Sequence, residues 1–161
     1  MIRFDETTVW YDFAEARERE SENSEVAFPN RACRERVVLS LPNGLVVSSD
    51  EEVRRKLAEI LGLGGLAPIL ASTVAESRRA LFQHNVCMIL CDEFVSDGSY
   101  RTVVEVVEHA DTKIPVIVVS RTGDWPEYLA AIRGGVFDYL AYPPIAGELQ
   151  RVIRSAFLER E

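Results

Sequence analysis

From Val37 onward, two textures of apolar and polar positions alternate along the chain. Short, near-continuously apolar runs occur at "LVVSS" (45–49), "APILA" (67–71), "VCMILC" (86–91), "IPVIVVS" (114–120) and "VFDYL" (136–140). Runs of that kind predict strands covered on both faces of a sheet. Between them lie amphipathic segments with helical spacing. "DEEVRRKLAEIL" places Val53, Leu57, Ile60 and Leu61 on one stripe, and "TVAESRRALFQH" does the same with Val74, Ser77, Leu81 and Phe82. "SYRTVVEVVEHA", "DWPEYLAAIRGG" and "ELQRVIRSAFLERE" follow the same rule.

The punctuation agrees with this alternation. Ser49 with Glu52, Thr73 with Glu76, and Asp124 with Glu127 each fit a cap residue followed three places on by a Glu. Gly62, Gly64 and Gly65 close the first helix, and Gly134 and Gly135 the fourth. Five strand–helix units joined by right-handed crossovers predict an α/β fold, a doubly wound five-stranded parallel sheet with helices on both faces. The common order is 2-1-3-4-5, and its crevice lies beyond the carboxyl ends of strands 1 and 3. Function is therefore expected at Ser48 to Asp50, at Asp92, and at the ends of strands 4 and 5.

A local signal competes with this scheme. "VVLSLPNGLVV" reads as a hairpin turning at Asn43-Gly44. A central first strand already has two neighbours, so residues 37–41 are expected as an extended lead-in or an edge element. Residues 1–43 then form an acidic extension, partly flexible, ahead of a domain at 44–161. Its early part is rich in Glu, Arg, Ser and Asn, with Trp10, Tyr11 and Phe13 clustered near the start. A mobile tail and an arm whose aromatics dock on a surface are both consistent with it.

Charge narrows the partners. The 161 residues carry 18 Lys and Arg against 26 Asp and Glu, a formal net charge of −8, which opposes adhesion to nucleic acid or to anionic membranes. A protein partner is the expectation. No run approaches the length needed to span a bilayer, and the start "MIRFDETTVW" lacks the basic head of a secretory signal, so the expected location is cytoplasmic. Cys87 and Cys91, four apart, are placed on the same strand face as buried thiols; neither His84 nor His109 offers metal-ligand spacing to them.

With these elements in place, the sequence from Gly44 to Glu161 resembles the receiver domain of bacterial two-component response regulators. "IPVIVVSRTGDWPEYLAAIRGGVFDYLAYPP" is similar to that family's fourth strand, fourth helix and fifth strand, and "LVVSSDEEVRRKLAEIL" and "VCMILCDEFVSDG" to its first and third strand regions. The resemblance implies a phosphoacceptor at Asp92, a switch hydroxyl at Ser120 and a switch aromatic at Tyr139. In that family an Asp accepts a phosphoryl group from a histidine kinase. Mg²⁺ held by two acids after strand 1 neutralises charge, and a Lys after strand 5 meets the phosphoryl oxygens. The Ser or Thr after strand 4 then bonds one of those oxygens and draws the strand 5 aromatic inward.

Two departures bear on that chemistry. Ser48 and Ser49 stand at the positions of the acidic pair, and Tyr142 stands at the position of the Lys. Without the pair, Asp92 is expected to bind Mg²⁺ poorly, and without the Lys no cation is expected to meet a phosphoryl group. Asp50 is either a replacement metal ligand or, with Glu51 and Glu52, part of the first turn of a helix that Ser49 caps. The primary expectation is an atypical, stand-alone receiver domain, a pseudo-receiver and not an enzyme. It needs no cofactor and acts by protein contact, with a histidine kinase, another regulator or a second copy of itself as the partner. Trp125, Tyr128, Tyr139 and Tyr142 are the candidate binding surface, or else ordinary packing against the sheet. The alternative is a phosphorylatable receiver with Mg²⁺, Asp92 as nucleophile and Asp50 as metal ligand. A flavin-binding relative of the same sheet is disfavoured, because the three acids of "SSDEEV" would repel a phosphate.

Overall fold

The computed structural model describes residues 41–159. The N-terminal extension, Cys33 and the aromatic cluster at Trp10, Tyr11 and Phe13 lie outside them, as do residues 37–40 of the proposed edge element. Counting only the strands of the main sheet, the elements run as follows. β1 is Asn43–Val47, α1 Glu51–Leu63, β2 Ala67–Ala71, α2 Val74–Gln83 and β3 Val86–Asp92. α3 is Tyr100–His109, β4 Val116–Ser120, α4 Trp125–Arg133, β5 Asp138–Ala141 and α5 Ala146–Leu158. Between β3 and α3 sits a small antiparallel hairpin of Phe94–Val95 with Gly98–Ser99.

The five strands are parallel and ordered β2-β1-β3-β4-β5, as the alternation of textures predicts. Two apolar layers flank them. Leu45, Val47, Ile89, Cys91, Val116 and Val118 face one side, with α2, α3 and α4. Val46, Met88, Leu90, Ile117 and Val119 face the other, with the Val53, Leu57, Ile60 and Leu61 stripe of α1 and with Leu149, Val152 and Ile153 of α5. Alternate residues of each central strand thus serve opposite cores. β2, at the edge, is covered on one side only, and Leu70 is 52% exposed.

Four expectations need correction. Asn43 and Gly44 do not turn a hairpin; they open β1, with Asn43 paired to Ala67 on one side and Val86 on the other. Parallel pairing to two neighbours satisfies their backbone groups better than a turn whose first strand has no free edge to join. Cys87 and Cys91 are both buried but face opposite cores. The β1–β3 register shifts between Asn43 and Gly44, where the partner advances from Val86 to Met88; the extra residue, Cys87, resets the alternation. Phe82 is 83% exposed, and Ala80 completes the α2 stripe in its place. Asp124 occupies the N-cap position of α4, but its side chain makes no capping bond.

Asp97, in the tip of the hairpin, ties the crevice rim to α2. Its carboxylate accepts from Val74 N (2.6 Å) and Ala75 N (3.1 Å), amides at the start of the helix that would otherwise lack partners. Those bonds, the Val74 amide first, hold its pKa below the usual carboxylate value. Gly98 follows because a Cβ there would stand 2.9 Å from Thr102 Oγ1 and 3.2 Å from Val74 Cγ2.

Leu57 sits at 0% exposure in the α1–α5 layer. Leu57→Ala is expected to lower unfolding stability by about 2–5 kcal/mol in urea titration. A loss below about 1 kcal/mol would mean that Leu57 is not packed between α1, α5 and the sheet.

Candidate functional site

The carboxyl ends of β1, β3 and β4 bring Ser48, Asp92 and Ser120 to one rim. Ser48 and Ser120 are fully buried and Asp92 nearly so. Ser48 Oγ donates to Asp92 Oδ2 at 2.9 Å, and it accepts from Asp50 N at 3.2 Å. A hydroxyl thus lies against Asp92 where a second carboxylate would have repelled it. Ser49 leaves the crevice. Its hydroxyl donates to Ser72 O (3.2 Å) and accepts from Ser96 N (2.7 Å), joining the β2–α2 loop to the hairpin.

Because Ser49 is drawn away, the next residue caps α1. Asp50, in extended conformation, accepts with Oδ1 from Glu52 N (2.9 Å) and Val53 N (3.2 Å), which corrects the assignment of the cap to Ser49. Its other oxygen, Oδ2, accepts from Arg121 Nη2 at 2.9 Å. Asp50 is therefore a cap and also a crevice residue, two roles that the residue pattern set against each other.

Arg121 has no counterpart among the residues expected at the site. It follows Ser120, and its guanidinium stands 3.7 Å from Asp92 Oδ2 while bound to Asp50. The same guanidinium lies 5.8 Å from the centre of the Tyr142 ring, a cation–π arrangement. Tyr142, half-buried, packs against the α1–α5 core. A cation is present beside Asp92; it comes from the loop after β4 and lies over the Tyr142 ring.

These contacts set the charge states. Burial raises the pKa of Asp92 above the ordinary Asp value, and the Ser48 hydrogen bond and Arg121 charge offset this only in part. The Arg121 hydrogen bond, followed by the Val53 amide, lowers that of Asp50. The Asp50 bond in turn raises that of Arg121.

A second group of side chains forms around Ser120. Its hydroxyl donates to Glu93 Oε2 at 2.5 Å, and its oxygen accepts from Thr122 N at 3.2 Å. Thr122 Oγ1 also reaches Glu93 Oε2, at 3.3 Å. Glu93 is 7% exposed, a buried acid directly after Asp92 that the motif pattern does not single out. Two adjacent acids at the end of a buried strand were the available signal, since burying both requires partners for each. Ser120 is thus engaged by Glu93, not by Asp92.

The predicted aromatic surface divides. Trp125 stacks on Tyr128 with centroids 5.1 Å apart, and Tyr128 meets Tyr139 edge-on at 6.1 Å. Trp125 is 67% exposed and Tyr139 only 7%, so this row runs from the surface inward. Tyr142 belongs to the Arg121 side.

The Mg²⁺ that the fold family uses does not fit the side chains as they stand. It prefers near-octahedral oxygen ligands and keeps several waters. Both Asp50 oxygens are spent, on helix amides and on Arg121, and the Ser48 and Ser49 hydroxyls are spent elsewhere. Among the described residues no group of three acids, His or Cys converges on one point.

No family model matches the chain. Among curated proteins, it is 26% identical over 118 residues to the response regulator protein PilR of Pseudomonas aeruginosa, covering 73% of this chain and 26% of that protein. It is 27% identical over 114 residues to the photosynthetic apparatus regulatory protein RegA of Rhodovulum sulfidophilum, covering 71% and 62%. The chain therefore spans less than two thirds of the length of these relatives. Among solved structures, the beryllofluoride-activated NtrC4 receiver domain dimer superposes with a TM-score of 0.69 at 24% identity, over 74% of this chain and 98% of that one. A receiver domain from Clostridium thermocellum does so at 0.68 and 21%, over 74% and 97%. The described part of the chain has the fold of receiver domains, and its sequence is similar to that of response regulators. Among the described residues no helix is long and apolar enough to cross a membrane.

The raised pKa of Asp92 has a sign that can be checked. When pH rises above the ordinary Asp value, the unfolded chain ionises first and the folded chain still holds its proton. Ionisation of Asp92 therefore reduces stability until pH passes the folded pKa. Asn keeps an acceptor for Ser48 and carries no charge. Asp92→Asn is expected to raise the thermal midpoint at pH 7, with the gain shrinking toward zero as pH falls to about 4. A gain that grows on acidification would contradict the assignment.

Proposed function

We propose that this receiver domain signals by contact with a protein partner and not by Mg²⁺-dependent phosphoryl transfer to Asp92. The observation that carries the reading is the Arg121 guanidinium, bound to Asp50 and 3.7 Å from Asp92 Oδ2. A fixed cation there makes the charge compensation that a transferable phosphoryl group would need from a metal. Its positive charge also repels a divalent ion from the same carboxylates. The crevice then holds its acids in a satisfied, static arrangement, and no cofactor is needed.

On this reading the outlet is the face of α4, β5 and α5. Trp125 offers an exposed ring there, backed by Tyr128 and Tyr139. Exposed aromatics of this kind are the side chains enriched at the energetic centres of protein interfaces. The partner is a histidine kinase, another regulator or a second copy of the chain. The net charge of −8 disfavours nucleic acid and anionic membranes, and the setting is the cytoplasm.

A second reading is supported by the same guanidinium. Arg121 could stand in for the absent Lys and help Asp92 accept a phosphoryl group, with Asp50 released to a metal. The two separate in one assay. Incubated with acetyl phosphate and Mg²⁺, the chain is expected to keep its intact mass. A gain of one phosphoryl group that disappears in Asp92→Asn would overturn the contact-only reading in favour of the second.

A further inference from the structure

In a receiver that works by phosphorylation, the hydroxyl at the Ser120 position bonds an oxygen of the phosphoryl group. In this chain that hydroxyl already has an acceptor of the same chemical kind. Glu93 Oε2 accepts its hydrogen bond at 2.5 Å, while the backbone amides of Thr122 (3.2 Å) and Gly123 (3.4 Å) donate to the hydroxyl oxygen. Ser120 is therefore fully engaged, and at 0% exposure it has no water to turn to.

The position of Tyr139 follows from this arrangement. Its ring is 7% exposed and lies in the core layer beside Val118, its cross-strand partner. Its hydroxyl is buried without a hydrogen-bond partner, although it neighbours Ser120 and Glu93. A buried, unpartnered hydroxyl costs free energy, so the ring stays inside because something else favours that placement. Ser120 is drawn toward Glu93, and Tyr128 meets the Tyr139 ring edge-on at 6.1 Å.

We propose that the carboxyl group of Glu93 is a resident substitute for the phosphoryl oxygen, holding Ser120 and thereby Tyr139 in the inward arrangement without phosphorylation. Trp125, stacked on Tyr128, reports that state at the surface. The inference rests on the contact-only reading above but uses different residues, since Glu93, Ser120 and Tyr139 take no part in the Arg121 contacts. It makes the domain's binding face permanent, with no input at Asp92 required to form it.

The test uses the full chain carrying Trp10→Phe, which leaves Trp125 as the sole tryptophan. Glu93→Ala and Ser120→Ala are each expected to free Tyr139. Its ring resonances should shift and broaden, and the Trp125 emission should shift together with its quenching by acrylamide. Glu93→Gln, which keeps an acceptor oxygen for Ser120, should reproduce the parent spectra. Beryllofluoride with Mg²⁺ should leave the parent spectra unchanged as well. Unaltered Tyr139 and Trp125 signals in a folded Glu93→Ala or Ser120→Ala protein would overturn the proposal, as would a beryllofluoride-induced change in the parent. Should Glu93→Ala not fold, Ser120→Ala and the beryllofluoride arm decide alone. Phosphoryl uptake in the mass assay bears on the contact-only reading; the variant spectra bear on Glu93, so either can fail without the other.

Discussion

The crevice depends on how three acids, Asp50, Asp92 and Glu93, coexist at one end of the sheet. Carboxylates gathered there repel one another and lose water, and each needs a compensating donor. The chain meets that need from its own side chains. Arg121 neutralises Asp50 and approaches Asp92, Ser48 donates to Asp92, and Ser120 with Thr122 donates to Glu93. The geometry of the surrounding loops follows from that distribution. Asp50 caps α1 with the oxygen Arg121 leaves free, and Ser49 is released to join the hairpin to the β2–α2 loop.

This distribution shows how the chain accommodates Asp92 with serines at 48 and 49. A metal site concentrates negative charge that only the metal relieves. Here the Ser48 hydroxyl donates to Asp92 directly, Ser49 turns to Ser72 and Ser96, and one guanidinium covers the remainder. Arg suits the place better than Lys would, because its planar head can bond Asp50 while presenting a face to the Tyr142 ring. Energetically the Arg121–Asp50 pair is exposed and screened, so its contribution is to placement more than to stability. What it fixes is the position of a positive charge next to a partly desolvated carboxylate.

Most of the fold could be read from periodicity, because apolar strands and amphipathic helices of these lengths admit few arrangements. The order of strands, the α1 stripe and the placement of Ser48, Asp92 and Ser120 at one rim were legible in that way. Periodicity fails where one residue's placement depends on a neighbour distant in sequence. The facing of Cys87 depends on a bulge set by pairing with β1, and Ser49 abandons its cap for partners at Ser72 and Ser96. Arg121 and Glu93 were legible as residue types at the right strand ends. That the guanidinium turns back to Asp50, and the Glu93 carboxyl to Ser120, is decided by loops whose course no local pattern encodes.

The central claim is that a guanidinium occupies the electrostatic role of a metal beside Asp92. The most direct measurement follows the side-chain carboxyl carbon resonance of Asp92 by NMR while Mg²⁺ is titrated into the protein. The account predicts a resonance unmoved by Mg²⁺ in the parent. A saturable shift in the parent protein, at Mg²⁺ concentrations that leave remote surface carboxyls unchanged, would contradict it.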